Sequence, residues 1–485
     1  MNRNLTALKP ELVWKHFAEI VRIPRPSSHE ERIRRYILDF AAAQGLEARE
    51  DAAHNVYVRK AATPGMEDRK GIILQAHLDM VPQKNNDKTF DFTTDSIDAY
   101  IDGEWVTADG TTLGADNGIG VASILAVLED RTLCHGPIEA LFTATEETGM
   151  DGAFGLEEGM LQGEILLNLD SEQEGELYVG CAGGLDANIT FDYAETATPA
   201  EGYTAARITV KGLKGGHSGI QIICQRANAN KLLFRLLNAA PCELLLASVD
   251  GGGLRNAIPR EAEATVLVPA AEFGRLSEAV AAYEKTVQAE FAGIEEGISV
   301  RVEACGKPAG MLPRETALAL IRAVVACPDG VARMSMAMPG LVQTSSNLAR
   351  VVSDGRTVKL QCLLRSSMAS EKQALGEAIA AVFALAGANT ELTGAYDGWN
   401  PDMSSPILAA MKASYERRFG SAPAITAIHA GLECGIIGSH YPGLDMISFG
   451  PTICYPHSPD EKVEIASVGK FYEFLVDTLA NAPKK

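Results

Sequence analysis

The sequence predicts an α/β protein with a mostly parallel central sheet, interrupted by an inserted α+β domain. Three observations predict it. Short apolar runs alternate with amphipathic helical stretches through residues 1–186. From about 187 to 398 the texture changes to strand-like segments followed by long helices, in an order that occurs twice. Residues 399–485 then return to the first texture. A chain of 485 residues has room for two or three domains. The simplest division is one discontinuous domain, 1–186 with 399–485, and a second domain, 187–398, inserted into it.

The elements follow in order. Helical spacing runs over 13–21 and 30–44, with Ser27 and Ser28 available as caps. Apolar runs at 71–78, 138–143 and 164–169 have the composition of strands buried on both faces. Between them, 117–130 is an amphipathic helix. The inserted domain opens with strands at 186–191 and 206–211 and a helix at 227–238. It then shows a strand at 262–268 before a helix at 273–291, and a strand at 357–365 before a helix at 372–386, which suggests an internal duplication. The tail carries a helix at 406–419, a short strand at 444–449 and a final helix at 465–480.

Composition narrows the function. Acidic residues outnumber basic ones 63 to 43, a net charge of −20. That opposes a nucleic-acid partner, which needs a basic surface. The longest helix-like apolar run, 378–388, falls short of the roughly 18 residues of a membrane span. The N-terminal MNRNLTALKP has no apolar signal core behind it. Nine cysteines, an odd number without a CxxC, read as reduced thiols. A cytoplasmic protein without membrane or nucleic-acid partners is expected.

Residues able to hold metal stand where the apolar runs end. The first strand leads into His77-Leu78-Asp79, and Asp116 stands at the mouth of the 117–130 helix. The strand at 138–143 leads to Glu146-Glu147, that at 164–169 to Asp170, and that at 444–449 through GPTICYP to His457. Ligands of open α/β sheets bind at that carboxyl edge. Two imidazoles with several carboxylates form a set suited to zinc, cobalt or manganese. On an extended chain His77 and Asp79 point the same way, so Asp79 is placed to accept the second imidazole proton. Glu146 and Glu147, being adjacent, are expected to point to opposite faces, one to metal and one to a reacting water. The two oxygens of Asp116 suit a bridge between ions. A structural reading stands beside each: a solvated charge pair for EE, a helix cap for Asp116.

Other chemistries are absent from the pattern. Gly118-x-Gly120 has Ser123 where a dinucleotide fingerprint needs a third glycine. There is no HExxH, and GHSGI around Ser218 is not a nucleophile elbow. Cys454 reads as structural.

The segments AHLDMVPQKNND (76–87), GTTLGADNGIG (110–120), TEETGMDGAFGL (145–156), NLDSEQEGE (168–176) and GPTICYPHSPDE (450–461) resemble those of the di-zinc metallopeptidase clan of aminoacylases and carboxypeptidases. Within it they are most similar to the bacterial aminoacyl-histidine dipeptidase family, the cytosolic non-specific dipeptidases. KGLKGGHSG (211–219), LRNAIPRE (254–261) and HAGLECG (429–435) extend the resemblance over almost the whole chain. It implies two Zn2+ ions, replaceable by Co2+ or Mn2+. His77, Asp116 and Asp170 would hold one, and Asp116, Glu147 and His457 the other. Asp170 stands where many clan members have Glu, as in the dipeptidase-like branch. Glu146 is implied as general base, Asp79 as the residue that orients His77, and a cis peptide is implied after Asp116.

The inserted domain is implied to be a lid that resembles a dimerisation domain. There His217 would polarise the scissile carbonyl. Asn256 and Arg365 are candidates for the substrate carboxylate, Arg365 by a two-pronged contact. His429 and Glu433 are candidates for the substrate's amino end or for support of the sheet edge. Structural readings remain beside these too: a tight loop at GGHS and a strand-face ion pair at Arg365. The function implied is hydrolysis of unblocked dipeptides, including Xaa-His peptides such as carnosine. The alternatives are an N-acyl-amino-acid deacylase with the same ions and a non-catalytic binding protein on a peptidase fold. A homodimer is implied by the clan alone.

Overall fold

The computed structural model describes residues 3–485. The chain divides into two compact units. The first comprises 1–180, 401–427 and 432–485, and the second 181–400 with the short segment 428–431.

An eight-stranded sheet organises the first unit, in the order Glu47–Glu50, Val56–Lys60, Ile138–Thr143, Ile72–His77, Ile165–Asn168, Asp445–Ser448, Glu176–Cys181, Ala424–Ile428. The strands 138–143, 72–77, 165–168 and 445–448 run parallel, and the pairings 47–50 with 56–60, 56–60 with 138–143, and 176–181 with 445–448 are antiparallel. Every residue of 72–77, 138–143 and 165–168 is buried, as the unbroken apolar runs require of strands covered on both faces. Register aligns His77 with Thr143, and Gln75 with Asn168. The carboxyl ends therefore lie side by side, and the loops that follow all leave from one edge.

That edge is polar inside. Gln75 Nε2 donates to Thr143 Oγ1 (3.1 Å) and to Glu433 Oε2 (2.6 Å), while Thr143 Oγ1 donates to the same Glu433 oxygen (2.8 Å). Asn168 donates to Gln75, and Ser448 Oγ to Asn168 Oδ1 (2.5 Å). A buried polar row that is internally hydrogen-bonded fixes register where apolar packing would tolerate a slip.

A nine-stranded, largely antiparallel sheet forms the second unit. It contains one arrangement twice. Strand Ala262–Pro269, helix Phe273–Glu290 and strand Ser299–Ala304 flank Tyr203–Lys211. Strand Thr357–Ser366, helix Ala369–Leu385 and strand Asn389–Tyr396 flank Gly183–Asp192. Leu185, Ile189, Ile208, Val266, Val280 and Phe383 belong to its core. No helix among the described residues is long and apolar enough to cross a membrane.

Candidate metal centre

Four loops at the carboxyl edge of the parallel strands bring the first unit's acids and imidazoles together. His77 ends its strand and is 1 % exposed. Asp116 stands just inside helix Ala115–Glu129 but outside helical geometry, after Gly114 at φ +71°. Its peptide to Asn117 is cis. Thr145, at φ +54°, turns the chain into Glu146 and Glu147. Asp170 follows strand 165–168 by two residues, and His457 sits at φ +60° in the loop between the short strands Ile453–Cys454 and Lys462–Glu464 that follow strand 445–448.

Two trios result, and they share Asp116. His77 Nε2 is 3.0 Å from Asp116 Oδ1 and 3.2 Å from Asp170 Oδ1. His457 Nε2 is 3.2 Å from Asp116 Oδ2 and 3.0 Å from Glu147 Oε2. Within each trio the donor atoms lie within 4.8 Å of one another. Metal–ligand bonds of 2.0–2.1 Å in a tetrahedron put neighbouring donors about 3.3 Å apart, close to these spacings. Glu147 Oε1 and Asp170 Oδ1 are buried without a hydrogen-bond partner. The donor set therefore fits a pair of divalent cations, with one oxygen of Asp116 for each.

Electrostatics agree. Burial alone would lower the basicity of His77, yet Asp170, Asp116 and Asp79 raise its affinity for positive charge well above the ordinary value. Hydrogen bonds to Asp116 and Glu147 lift His457 to about 11 against the cost of burial. Burial lifts Asp170 to about 6, opposed by His77. The nest attracts cations, whether protons or metal. Glu146 groups with His77 and Glu147. Burial pushes its carboxyl well up, His77 pulls it down, and Asp170, Glu433 and Glu147 add to the rise. A carboxyl held up in this way both accepts and returns a proton.

One expectation needs correcting. Glu146 and Glu147 open the helical turn Glu146–Gly149, so their side chains diverge by about 100° rather than to opposite faces. Asp79 Oδ1 is 3.3 Å from His77 Nδ1. Its oxygens also accept the amides of Glu146 (2.9 Å) and Glu147 (3.1 Å) and the Ser27 hydroxyl (2.7 Å). Asp79 thus holds the EE turn in place, beside His77.

The second unit gathers three of the remaining residues. His217 lies on a two-residue strand paired with Ala257–Ile258, directly after which Ser218 N donates to Asn256 O (2.8 Å). His217 Nδ1 accepts the amides of Gly219 (3.2 Å) and Ile220 (3.1 Å). The neutral ring therefore carries its proton on Nε2, as a donor. Burial, then Arg365, lowers its pKa and keeps it neutral. Gly219 is where the chain has no room: a Cβ there would stand 2.2 Å from His429 O, 3.0 Å from His217 Cε1 and 3.1 Å from Arg365 Nε. Arg365 is 6 % exposed, with Nε unpartnered. His429 Nε2 is 2.7 Å from Ser345 Oγ. The Asn256 side chain is exposed. Glu433, in the first unit, is wholly buried against Gln75 and Thr143, which fits support of the sheet edge.

Arg25, Glu30 and Glu461 were not singled out by sequence reading. Glu30 Oε1 accepts the Thr145 amide (3.1 Å) and hydroxyl (2.9 Å). The other two grip the Asp116 loop. Glu461 ends the motif GPTICYPHSPDE, and Arg25 stands between two prolines in IPRPSS. A buried charge is the signal, and burial cannot be read from one sequence.

The family model "Peptidase family M20/M25/M40" matches residues 73–481. The cytosol non-specific dipeptidase of Escherichia coli K12 is 48 % identical over 483 residues, 99 % of each chain. The crystal structure of aminoacylhistidine dipeptidase from Vibrio alginolyticus superposes with a TM-score of 0.95 at 49 % identity, covering 99 % of each chain. An aminopeptidase from Bacillus cereus, at 16 % identity and TM-score 0.57 over 98 % of this chain and 99 % of its own, shares the fold.

Proposed function

The chain belongs to peptidase family M20/M25/M40, and from that premise we propose that it is a metal-dependent dipeptidase cleaving unblocked dipeptides, Xaa-His peptides such as carnosine included. Its cofactor is a dinuclear metal centre, and zinc is the ion we assign, with cobalt or manganese as substitutes. The observation that carries this reading is the Asp116 carboxylate, with one oxygen in each of two His/carboxylate trios.

His77, Asp116 and Asp170 would hold one ion, and Asp116, Glu147 and His457 the other. Ions held there would supply Lewis-acid chemistry, polarising the peptide carbonyl and making the attacking water more acidic. Glu146, raised by burial and by the acids around it, takes the proton of the attacking water and delivers it to the leaving amine. Asp79 orients His77 and also fixes Glu146 and Glu147 through their amides. His217 Nε2–H donates to the carbonyl oxygen as negative charge develops there. Arg365, with Asn256, pairs with the substrate's terminal carboxylate, and His429 holds Ser345 beside it.

The cytoplasm as compartment and a homodimer as assembly belong to the same proposal. The first draws on the relative named for the cytosol; light scattering reads the second. The direct test is an assay of the purified chain on carnosine, Gly-Gly and N-acetyl-amino acids, with and without zinc. Hydrolysis of the dipeptides alone supports the reading. Hydrolysis of only the acylated amino acids makes the chain a deacylase, and no hydrolysis of any makes it a binding protein.

A further inference from the structure

The backbone of residues 113–116 is gripped by two buried charged side chains that belong to neither trio. Glu461 is 1 % exposed. Its Oε2 accepts the amides of Leu113 (2.8 Å) and Gly114 (2.9 Å), and its Oε1 those of Ala115 (2.7 Å) and Asp116 (3.2 Å). All four lone-pair sites of the carboxylate are used. Arg25 is 2 % exposed. Its Nη1 donates to the carbonyls of Leu78 (2.8 Å) and Asp79 (2.7 Å), and its Nη2 to that of Gly114 (2.5 Å). A Cβ at Gly114 would stand 2.6 Å from Nη2, and one at Gly118 2.8 Å. Two glycines therefore leave the slot the guanidinium fills, and Gly114 also takes a positive φ.

Each grip joins Asp116 to a different histidine. Glu461 stands four residues after His457, in the same loop, so its four amide bonds lock that loop to the Asp116 loop. Arg25 joins the Asp116 loop to the two residues that follow His77. Burying two charges is costly unless every donor and acceptor is used, and here the acceptors and donors are main-chain groups of ligand-bearing loops. We propose that Glu461 and Arg25 are positioning residues of the metal centre, Glu461 holding Asp116 in register with His457 and Arg25 holding it in register with His77. The proposal rests on the two-ion reading of the site.

The test is a Co2+ titration of the metal-stripped full chain, followed by calorimetry and by the visible spectrum. Glu461→Gln turns an NH2 group toward main-chain amides, and Arg25→Lys keeps the charge but loses the planar fork. In a His77→Ala background, where the His457 position remains, Glu461→Gln is expected to weaken Co2+ binding about 10- to 100-fold and Arg25→Lys to leave it nearly unchanged. In a His457→Ala background the two effects exchange. Equal loss at both positions, or a lowered melting temperature of the metal-free chain with both affinities intact, overturns the proposal. The two variants are independent, so a failure of one to fold leaves the other to decide. A wild type that binds fewer than two ions refutes the two-ion reading itself; a two-ion wild type with unaltered variants refutes only the positioning roles.

Discussion

The two units hold their functional side chains by different means. In the first, three of the ligand-bearing segments are fixed through their backbone by buried charges: Asp79 on 146–147 and Glu30 on Thr145, Glu461 on 113–116, Arg25 on Leu78, Asp79 and Gly114. In the second, His217, Arg365 and His429 meet around one glycine; the buried Glu295 holds the loop ahead of His217 through the Lys214 amide, but the His217 ring takes its orientation from the amides of its own turn. A cation site must keep like charges close together before the cation arrives, so it needs a rigid frame. A side chain that presents one neutral donor has no like charges to hold together, so the amides of one turn can set its ring.

The contrast breaks most visibly at the ions. Dialysis against a chelator is expected to abolish dipeptide hydrolysis, and added Zn2+, Co2+ or Mn2+ to restore it. Turnover that persists with metal undetectable by atomic emission would remove the first unit's site from the reaction. Next in size is Glu146→Gln. It is expected to keep both ions and lose about 10²- to 10⁴-fold in kcat. Loss of bound metal would instead make Glu146 a ligand.

How far the sequence reveals each region follows from the same contrast. The metal-ligand candidates were legible because His77, Glu147, Asp170 and His457 stand after apolar runs and Asp116 opens a helix, so chemistry pointed to one edge, and the resemblance grouped them into two trios. Their supports were not. Arg25, Glu30 and Glu461 act on main-chain groups of distant segments, and nothing in a local pattern distinguishes them from surface charges. The same blindness affected the sheets. Glu47–Glu50 is largely exposed and charged, yet it pairs as an edge strand. In Val342–Ser353 the polar run Thr344–Asn347 is buried, so alternation predicts no strand there. The Glu146–Glu147 turn was misjudged as extended because the positive φ of Thr145 starts a helical turn with no glycine or proline to announce it.

The second unit yields smaller effects that leave the ions untouched. His217→Ala is expected to lower kcat/KM about 10²- to 10³-fold, the scale of one oxyanion donor, at unchanged metal content. An unaltered kcat/KM would leave His217 as a turn residue only. Gly219→Ala forces a methyl group against the His429 carbonyl. It is expected to displace the turn and cost up to about 10²-fold in kcat/KM, again with two ions bound. Loss of an ion in this variant would break the distinction between the two regions.

The smallest effect is on stability, and its sign follows from His429. Burial, reinforced by Arg365, lowers this imidazole to about 3, against a bond to the Val342 backbone that raises it. The unfolded chain titrates near 6.5. Above that pH both states are neutral and His429 contributes nothing. Between about 6.5 and 3 the unfolded chain binds a proton that the folded chain refuses, so stability falls as the pH falls. At about pH 5 the loss is about 2 kcal/mol, from 1.36 kcal/mol per pH unit. His429→Asn keeps an acceptor for Ser345 but does not titrate, so its denaturation midpoint is expected to fall less than the wild type's between about pH 7 and about pH 5. Parallel curves for the two proteins would mean that His429 takes up its proton in the folded state, and the neutral, buried character assigned to the second unit's site would not hold.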